Sequence, residues 1–121
     1  MSTLVSVVVP VYNGMPHLRE LTASVLRQTH RQLDIVFSDG GSTDGSVDFL
    51  RQIEDPRVRL MFLEPGLGAA ANWTACSLAA RADYIKLVCQ DDLLELDAIE
   101  RQLKALQADS EAVMAIACRD I

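Results

Sequence analysis

The 121 residues include 50% hydrophobic and 23% charged side chains, a balance that supports one packed domain, or part of a larger one, and excludes two complete domains or a disordered chain. Eleven Lys and Arg against 17 Asp and Glu leave a net charge of -6, so no general cationic surface is available to nucleic acid, although a divalent cation held by carboxylates can locally reverse the field for a small anion. No apolar run reaches the roughly 20 residues that cross a bilayer, and the N-terminus lacks the basic n-region of a secretory signal, so a cytoplasmic chain is expected.

Leu4 to Val9 is a Val-rich run without polar alternation, the pattern of a parallel strand covered on both faces, and it is expected to stop at Pro10. A helix follows from Pro16 or His17 to Gln28, with Leu18, Leu21 and Val25 along one face. Leu33 to Phe37 is the second strand, ending in the polar stretch from Ser38 to Gly45. A helix from Ser46 to Ile53 is closed by Pro56. Val58 to Leu63 is the third strand, and Gly68 to Ala82 an Ala-rich helix. Within it Trp73 beside Asn72 is read first as a packing pair and second as a ligand contact.

Tyr84 to Cys89 is the fourth strand and runs into Gln90-Asp91-Asp92. The last helix spans Leu96 to Ala108, with a buried stripe of Leu96, Ile99, Leu103 and Leu106. Ala112 to Cys118 is a fifth strand. Cys76, Cys89 and Cys118 are odd in number and sit in apolar surroundings, which predicts reduced buried thiols. His17 and His30 flank the first helix without any metal-ligand spacing and read as surface or helix-end residues.

Strands alternating with helices imply an open α/β sheet with right-handed crossovers, whose ligands bind beyond the carboxyl ends of the strands. Three polar clusters fall at such ends: Tyr12-Asn13, Ser38 to Asp44, and Gln90-Asp91-Asp92. Adjacent Asp91 and Asp92 after an apolar strand would repel unless solvent, hydrogen bonds or a cation compensated them, and a Mn2+ or Mg2+ ion shared with a diphosphate would do so. The other reading is an acidic start to the loop before the last helix.

Asp39 can accept a bond from a ligand, with Gly40 and Gly41 permitting close backbone approach, while Asp44 reads first as a cap for the following helix. Tyr12 offers a face for a nucleobase or closes the sheet edge. Asn13 bonds turn backbone or touches the ligand. There is no G-x-G-x-x-G after the first strand, no G-x-x-x-x-G-K-[ST] and no G-x-S-x-G, which weighs against dinucleotide binding, P-loop hydrolysis and a serine nucleophile.

The segment Val5 to Gly14, the run Ser24-Val25-Leu26-Arg27-Gln28-Thr29, the block Ser38 to Gly45 and Gln90-Asp91-Asp92 resemble, in order and spacing, family 2 glycosyltransferases. The resemblance implies a GT-A nucleotide-diphospho-sugar transferase fold, Rossmann-like, with a mostly parallel sheet flanked by helices. Residues 1–121 would be its N-terminal, nucleotide-sugar-binding portion, truncated at the C-terminus.

It further implies an inverting, Mn2+- or Mg2+-dependent transfer of sugar from a nucleotide diphosphate, UDP first, to a hydroxyl of a glycan, lipid-linked or other acceptor. The parent protein would act in the cytoplasm or at the cytoplasmic face of a membrane, in cell wall or polysaccharide biosynthesis. Pro10, Tyr12, Asn13, Asp39 and Asp91 would lie on the nucleotide sugar, and Asp92 with Asp91 on the metal. The general base would come from beyond this chain, and apolar surface left by the truncation would favour self-association.

Two departures from the family pattern stand out: Gly40 where many members have a second acid, and Ala71 where many have an Arg before Asn72. The competing readings are a metal-dependent nucleotidyltransferase and a non-catalytic nucleotide-sugar-binding module.

Overall fold

Four parallel strands form one sheet in the computed structural model, which describes residues 3–89 and 92–109. In chain order the elements are β1 (Val5–Val11), α1 (His17–Leu26), β2 (Leu33–Asp39), α2 (Ser46–Arg51), β3 (Val58–Phe62), α3 (Ala69–Leu78), β4 (Tyr84–Leu87) and α4 (Ala98–Ala108). The spatial order is β3-β2-β1-β4. The chain winds from β1 outward through β2 to β3, then returns to lay β4 on the other side of β1. Right-handed crossovers therefore place α1 and α2 on one face and α3 on the opposite one.

The core records that division. Val5, Val7, Val9 and Val11 alternate with Val8 along β1; the former pack with Leu18, Leu21 and Val25 of α1, Leu50 of α2, and Ile99 and Leu103 of α4. Val8 and Val36 pack with Cys76 of α3 on the other face. With both faces covered, β1 and β2 are buried at every position, which explains their continuous apolar runs.

All four described strands and four helices match the sequence expectation in place and type, with shifted ends. The first strand does not stop at Pro10 but continues to Val11, and β2 runs on through Ser38 and Asp39, which pair with Pro10 and Val11. Backbone groups alternate sides along a strand. Val8 carbonyl faces β4, accepting the Val88 amide at 3.0 Å, and Val11 carbonyl faces β2, accepting the Gly40 amide at 2.8 Å. Pro10 shares the side of Val8 and lies past the last β1–β4 pair, Val8 with Leu87, so its missing N–H interrupts no ladder bond.

The last helix starts at Ala98 rather than Leu96, and Leu96 is exposed instead of joining the buried stripe; its carbonyl accepts the Thr29 amide at 2.8 Å. Trp73 and Asn72 do not form a packing pair: Asn72 is buried and Trp73 exposed, because consecutive helical residues point in different directions. Cys76 is buried and Cys89 half-buried. Cys118 and the fifth strand expected over Ala112 to Cys118 lie outside the described residues.

Ile85 and Leu87 register beside Ser6 and Val8 and so share the α3 face, yet both are exposed, as is Leu78 at the end of α3. Among the described residues no helix is long and apolar enough to cross a membrane.

Candidate functional site

Because β2 and β4 flank β1 but are reached in opposite directions, the strand order reverses at β1. The loops leaving the carboxyl ends of β1 and β4 border the crevice that this reversal creates.

The loops after β1 and β2 are locked together by side chains. Asn13, in the left-handed region at φ 48°, donates its amide to Ser42 Oγ at 2.8 Å, and its Oδ1 accepts the Thr43 amide at 2.8 Å. The Gly14 amide donates to Ser46 Oγ at 3.0 Å and the Met15 amide to Asp44 Oδ2 at 3.0 Å. Asp44 Oδ1 in turn accepts the Ser46 amide at 3.0 Å and the Ser46 hydroxyl at 2.6 Å. Burial raises the Asp44 carboxyl, but the bonds from Ser46 and the Met15 amide outweigh it and hold the group below its ordinary value. Asp44 thus ties both loops to the start of α2.

Asp39 is 1% exposed and closes its own loop. Its Oδ2 accepts the amides of Gly41 and Ser42 at 3.0 and 2.9 Å, and Oδ1 accepts the Ser42 hydroxyl at 2.6 Å. A carboxylate offers about four acceptor directions, so roughly one remains. Asn72, 3% exposed at the start of α3, donates Nδ2 to Val11 carbonyl at 3.1 Å, sharing that oxygen with the Gly40 amide. A Cβ on Gly40 would stand 3.1 Å from Asn72 Nδ2, so a glycine here lets α3 approach the sheet edge.

Gly41 is under stricter demand. Its φ is +98°, and an added Cβ would lie 2.8 Å from the Cα of Pro65. Gly41→Ala is expected to destabilise the protein by about 2 kcal/mol, from the left-handed backbone cost plus overpacking. A urea midpoint unchanged from the wild type would show that the Pro65 loop yields without cost.

Tyr12 stands at the mouth of this assembly, 57% exposed, and Pro10 is buried within β1 two residues earlier. Across the crevice, the Asp92 amide donates to Cys89 carbonyl at 3.0 Å, setting Asp92 just past the end of β4. Burial pushes the Lys86 ammonium of β4 below its ordinary value, and the charge of Asp92 partly restores it, so the two lie within electrostatic reach. Asp91 and Gln90 lie outside the described residues. Among the described residues no three His, Cys, Asp or Glu side chains form a metal cluster. Asp92 supplies hard oxygen donors, the type Mg2+ and Mn2+ accept, and Mg2+ commonly uses one or two carboxylates with phosphate and water completing its shell.

The crevice therefore brings together Tyr12, Asn13 and Asp39 on the side of the interlocked loops and Asp92 beyond β4. Ser42 organises the loop as expected, by bonding Asp39 and Asn13, whereas Asn72 bonds the Val11 carbonyl instead of packing on Trp73, and Gln28 has no role assigned from sequence. Gln28 had a legible signal, since it extends the stripe of Leu18, Leu21 and Val25 with a polar residue in an apolar position.

The profile of Glycosyl transferase family 2 matches residues 6–121. The chain is 35% identical over 117 residues to Glycosyltransferase GlyG of Streptococcus pneumoniae, covering 94% of this chain and 39% of that one. It is 36% identical over 118 residues to Chondroitin synthase of Escherichia coli, covering 95% of this chain and 16% of that one. The chain thus spans well under half the length of these relatives.

Among solved structures, S. aureus TarS 1-349 in complex with UDP-GlcNAc superposes with a TM-score of 0.76 at 21% identity, over 89% of this chain and 32% of that one, a likeness of fold alone. The mannosyltransferase PcManGT of Pyrobaculum calidifontis, in complex with GDP-Man and Mn2+, gives 0.76 at 25% identity over 88% of this chain and 33% of that one.

Proposed function

We propose, from the fact that this chain belongs to glycosyl transferase family 2, that its carboxyl sheet edge binds a nucleotide-diphosphate sugar, with UDP as the nucleotide, for transfer to a hydroxyl acceptor. The observation that carries this reading is the convergence of the exposed Tyr12, the interlocked loops of residues 12–15 and 39–46, and Asp92 at the point where strand order reverses. The resemblance to an enzyme solved with GDP-Man and Mn2+ supports a nucleotide-sugar donor and a divalent cation.

In this proposal Tyr12 stacks on the base, and the remaining acceptor direction of Asp39 takes a donor from base or ribose. Pro10 and Asn13 set the backbone that carries Tyr12 toward the nucleotide. Asp92, with Asp91, holds Mn2+ or Mg2+ against the diphosphate. The cation supplies Lewis-acid neutralisation of the diphosphate charge. In an inverting transfer the acceptor oxygen attacks the sugar C1 as the C1–O bond to phosphate breaks, and a base from outside these residues takes the acceptor proton.

The exposed Leu78, Ile85 and Leu87 belong to a face that further chain, or a second copy, would cover.

Calorimetric titration with UDP tests the reading. Binding is expected with Mn2+ present and lost in excess chelator, accompanied by protection from hydrogen exchange around Tyr12, Asp39 and Asp92. Equal affinity in chelator would overturn the metal assignment, and no UDP binding in either condition would overturn the donor assignment.

A further inference from the structure

Gln28 lies just past the end of α1 and is fully buried. A buried amide is costly unless its donors and acceptor are bonded, and here the bonds reach into another element. Nε2 donates to Ser24 carbonyl at 3.1 Å and to Glu95 carbonyl at 2.6 Å, while Oε1 accepts the Ile99 amide at 3.1 Å. Ile99 is in the first turn of α4, where Asp97 makes no side-chain cap, so Gln28 satisfies an open first-turn amide from outside the helix.

Its neighbours close on the same segment. The Leu94 amide donates to Ser24 Oγ at 3.3 Å, the Thr29 amide to Leu96 carbonyl at 2.8 Å, and the Thr29 hydroxyl to Glu100 Oε2 at 3.1 Å.

Asp92 stands between two anchors. One is its own amide on Cys89 carbonyl; the other is the clamp at Glu95, only three residues on, a span of at most about 10 Å. Without Gln28 the second anchor loses its buried bonds to Glu95 and Ile99 and is held only by Ser24 and Thr29, while the first remains. A carboxylate that must meet a cation needs placement within about 0.5 Å, so the clamp bears on metal binding although Gln28 touches no ligand.

We propose that Gln28 is a positioning residue, holding residues 94–99 against α1 so that Asp92 is presented to the cation and diphosphate. The proposal rests on the nucleotide-sugar reading of the site.

The test compares Gln28→Met and Gln28→Glu with Ser6→Ala, a destabilising control at the opposite end of the strands, all in the full-length protein. Ser6 bonds Asp34 and the amides of Arg81 and Ala82 and lies away from the crevice. Mn2+ binding in the presence of UDP is read from loss of the free-ion paramagnetic resonance signal, and UDP affinity in chelator is measured separately. Gln28→Met is expected to weaken Mn2+ binding on the order of tenfold. Gln28→Glu, which keeps the acceptor for Ile99 but sets a buried carboxylate oxygen against the Ser24 and Glu95 carbonyls, should weaken Mn2+ binding at least as much as Gln28→Met. It also serves as the test if Gln28→Met does not fold.

Ser6→Ala should lower Tm while leaving Mn2+ affinity within about twofold of wild type, as distant sites usually behave independently. Wild-type Mn2+ affinity in both Gln28 variants, or an equal loss in Ser6→Ala, would overturn the positioning role while leaving the site reading intact. A wild type without Mn2+-dependent UDP binding would overturn both.

Discussion

Asp92→Ala is expected to weaken Mn2+-dependent UDP binding on the order of a hundredfold, a loss above that of an indirect partner of a metal site. Among the described residues Asp92 is the carboxylate set just past the end of β4, bordering the crevice. Asp92→Asn separates charge from shape, since it keeps the volume and loses the negative charge, and should behave like the alanine variant. Asp97→Ala is the contrast. Its carboxylate pairs with Arg101 at 3.1 Å on the exposed side of α4, and its loss should change UDP affinity by less than about threefold, as surface ion pairs contribute little. Calorimetry showing Asp92→Ala within error of wild type would remove the metal from this position.

The largest stability loss is expected at the other end of the sheet. Asp34 is buried at the start of β2, with Oδ1 accepting Arg59 Nε at 2.9 Å and Oδ2 accepting Arg59 Nη2, Ser6 Oγ and the Arg81 amide at 3.0, 2.7 and 3.0 Å. Arg59 continues to Ala79 carbonyl at 2.7 Å, so one carboxylate joins β1, β2, β3 and the end of α3.

Asp34→Ala should cost about 3–5 kcal/mol, because it removes the carboxylate partner of a partly buried guanidinium and of the buried Ser6 hydroxyl together. A lower urea midpoint with an unchanged slope is the readout, and a midpoint near wild type would show that water replaces the carboxylate without cost.

The same residue sets an acid response. Burial raises the Asp34 carboxyl, but the bonds from Arg59, Ser6 and Arg81, with the Arg59 charge, bring it below the ordinary 3.8. Its stabilising contribution is therefore complete above the unfolded-state value and disappears as pH falls through the lower folded value. Wild-type stability should drop on acidification below about pH 4, and Asp34→Ala should lack that part of the decline.

The alternation of strand and helix, the apolar runs of β1 and β2, and the stripe of Leu18, Leu21 and Val25 were legible in the sequence because each depends on local periodicity and on which side chains avoid water. The polar clusters at strand ends were equally legible, since a polar run directly after a buried strand has few places to go but the sheet edge. Element ends were not. Pro10 reads as a stop, and only the early end of β4 pairing makes it harmless inside β1.

Tertiary structure alone decided which polar side chains are structural partners and of what. Asn72 and Trp73 are neighbours in sequence, yet one is buried against Val11 carbonyl and the other faces solvent. Gln28 meets Glu95 and Ile99 across 67 and 71 residues, and Asp34 meets Arg59 and Arg81 across 25 and 47. Hydrophobic burial is non-directional and repeats with the period of the chain, so it leaves a pattern in the sequence. A hydrogen bond between distant residues depends on two groups being brought within about 3 Å by the whole fold, and no local pattern records that meeting.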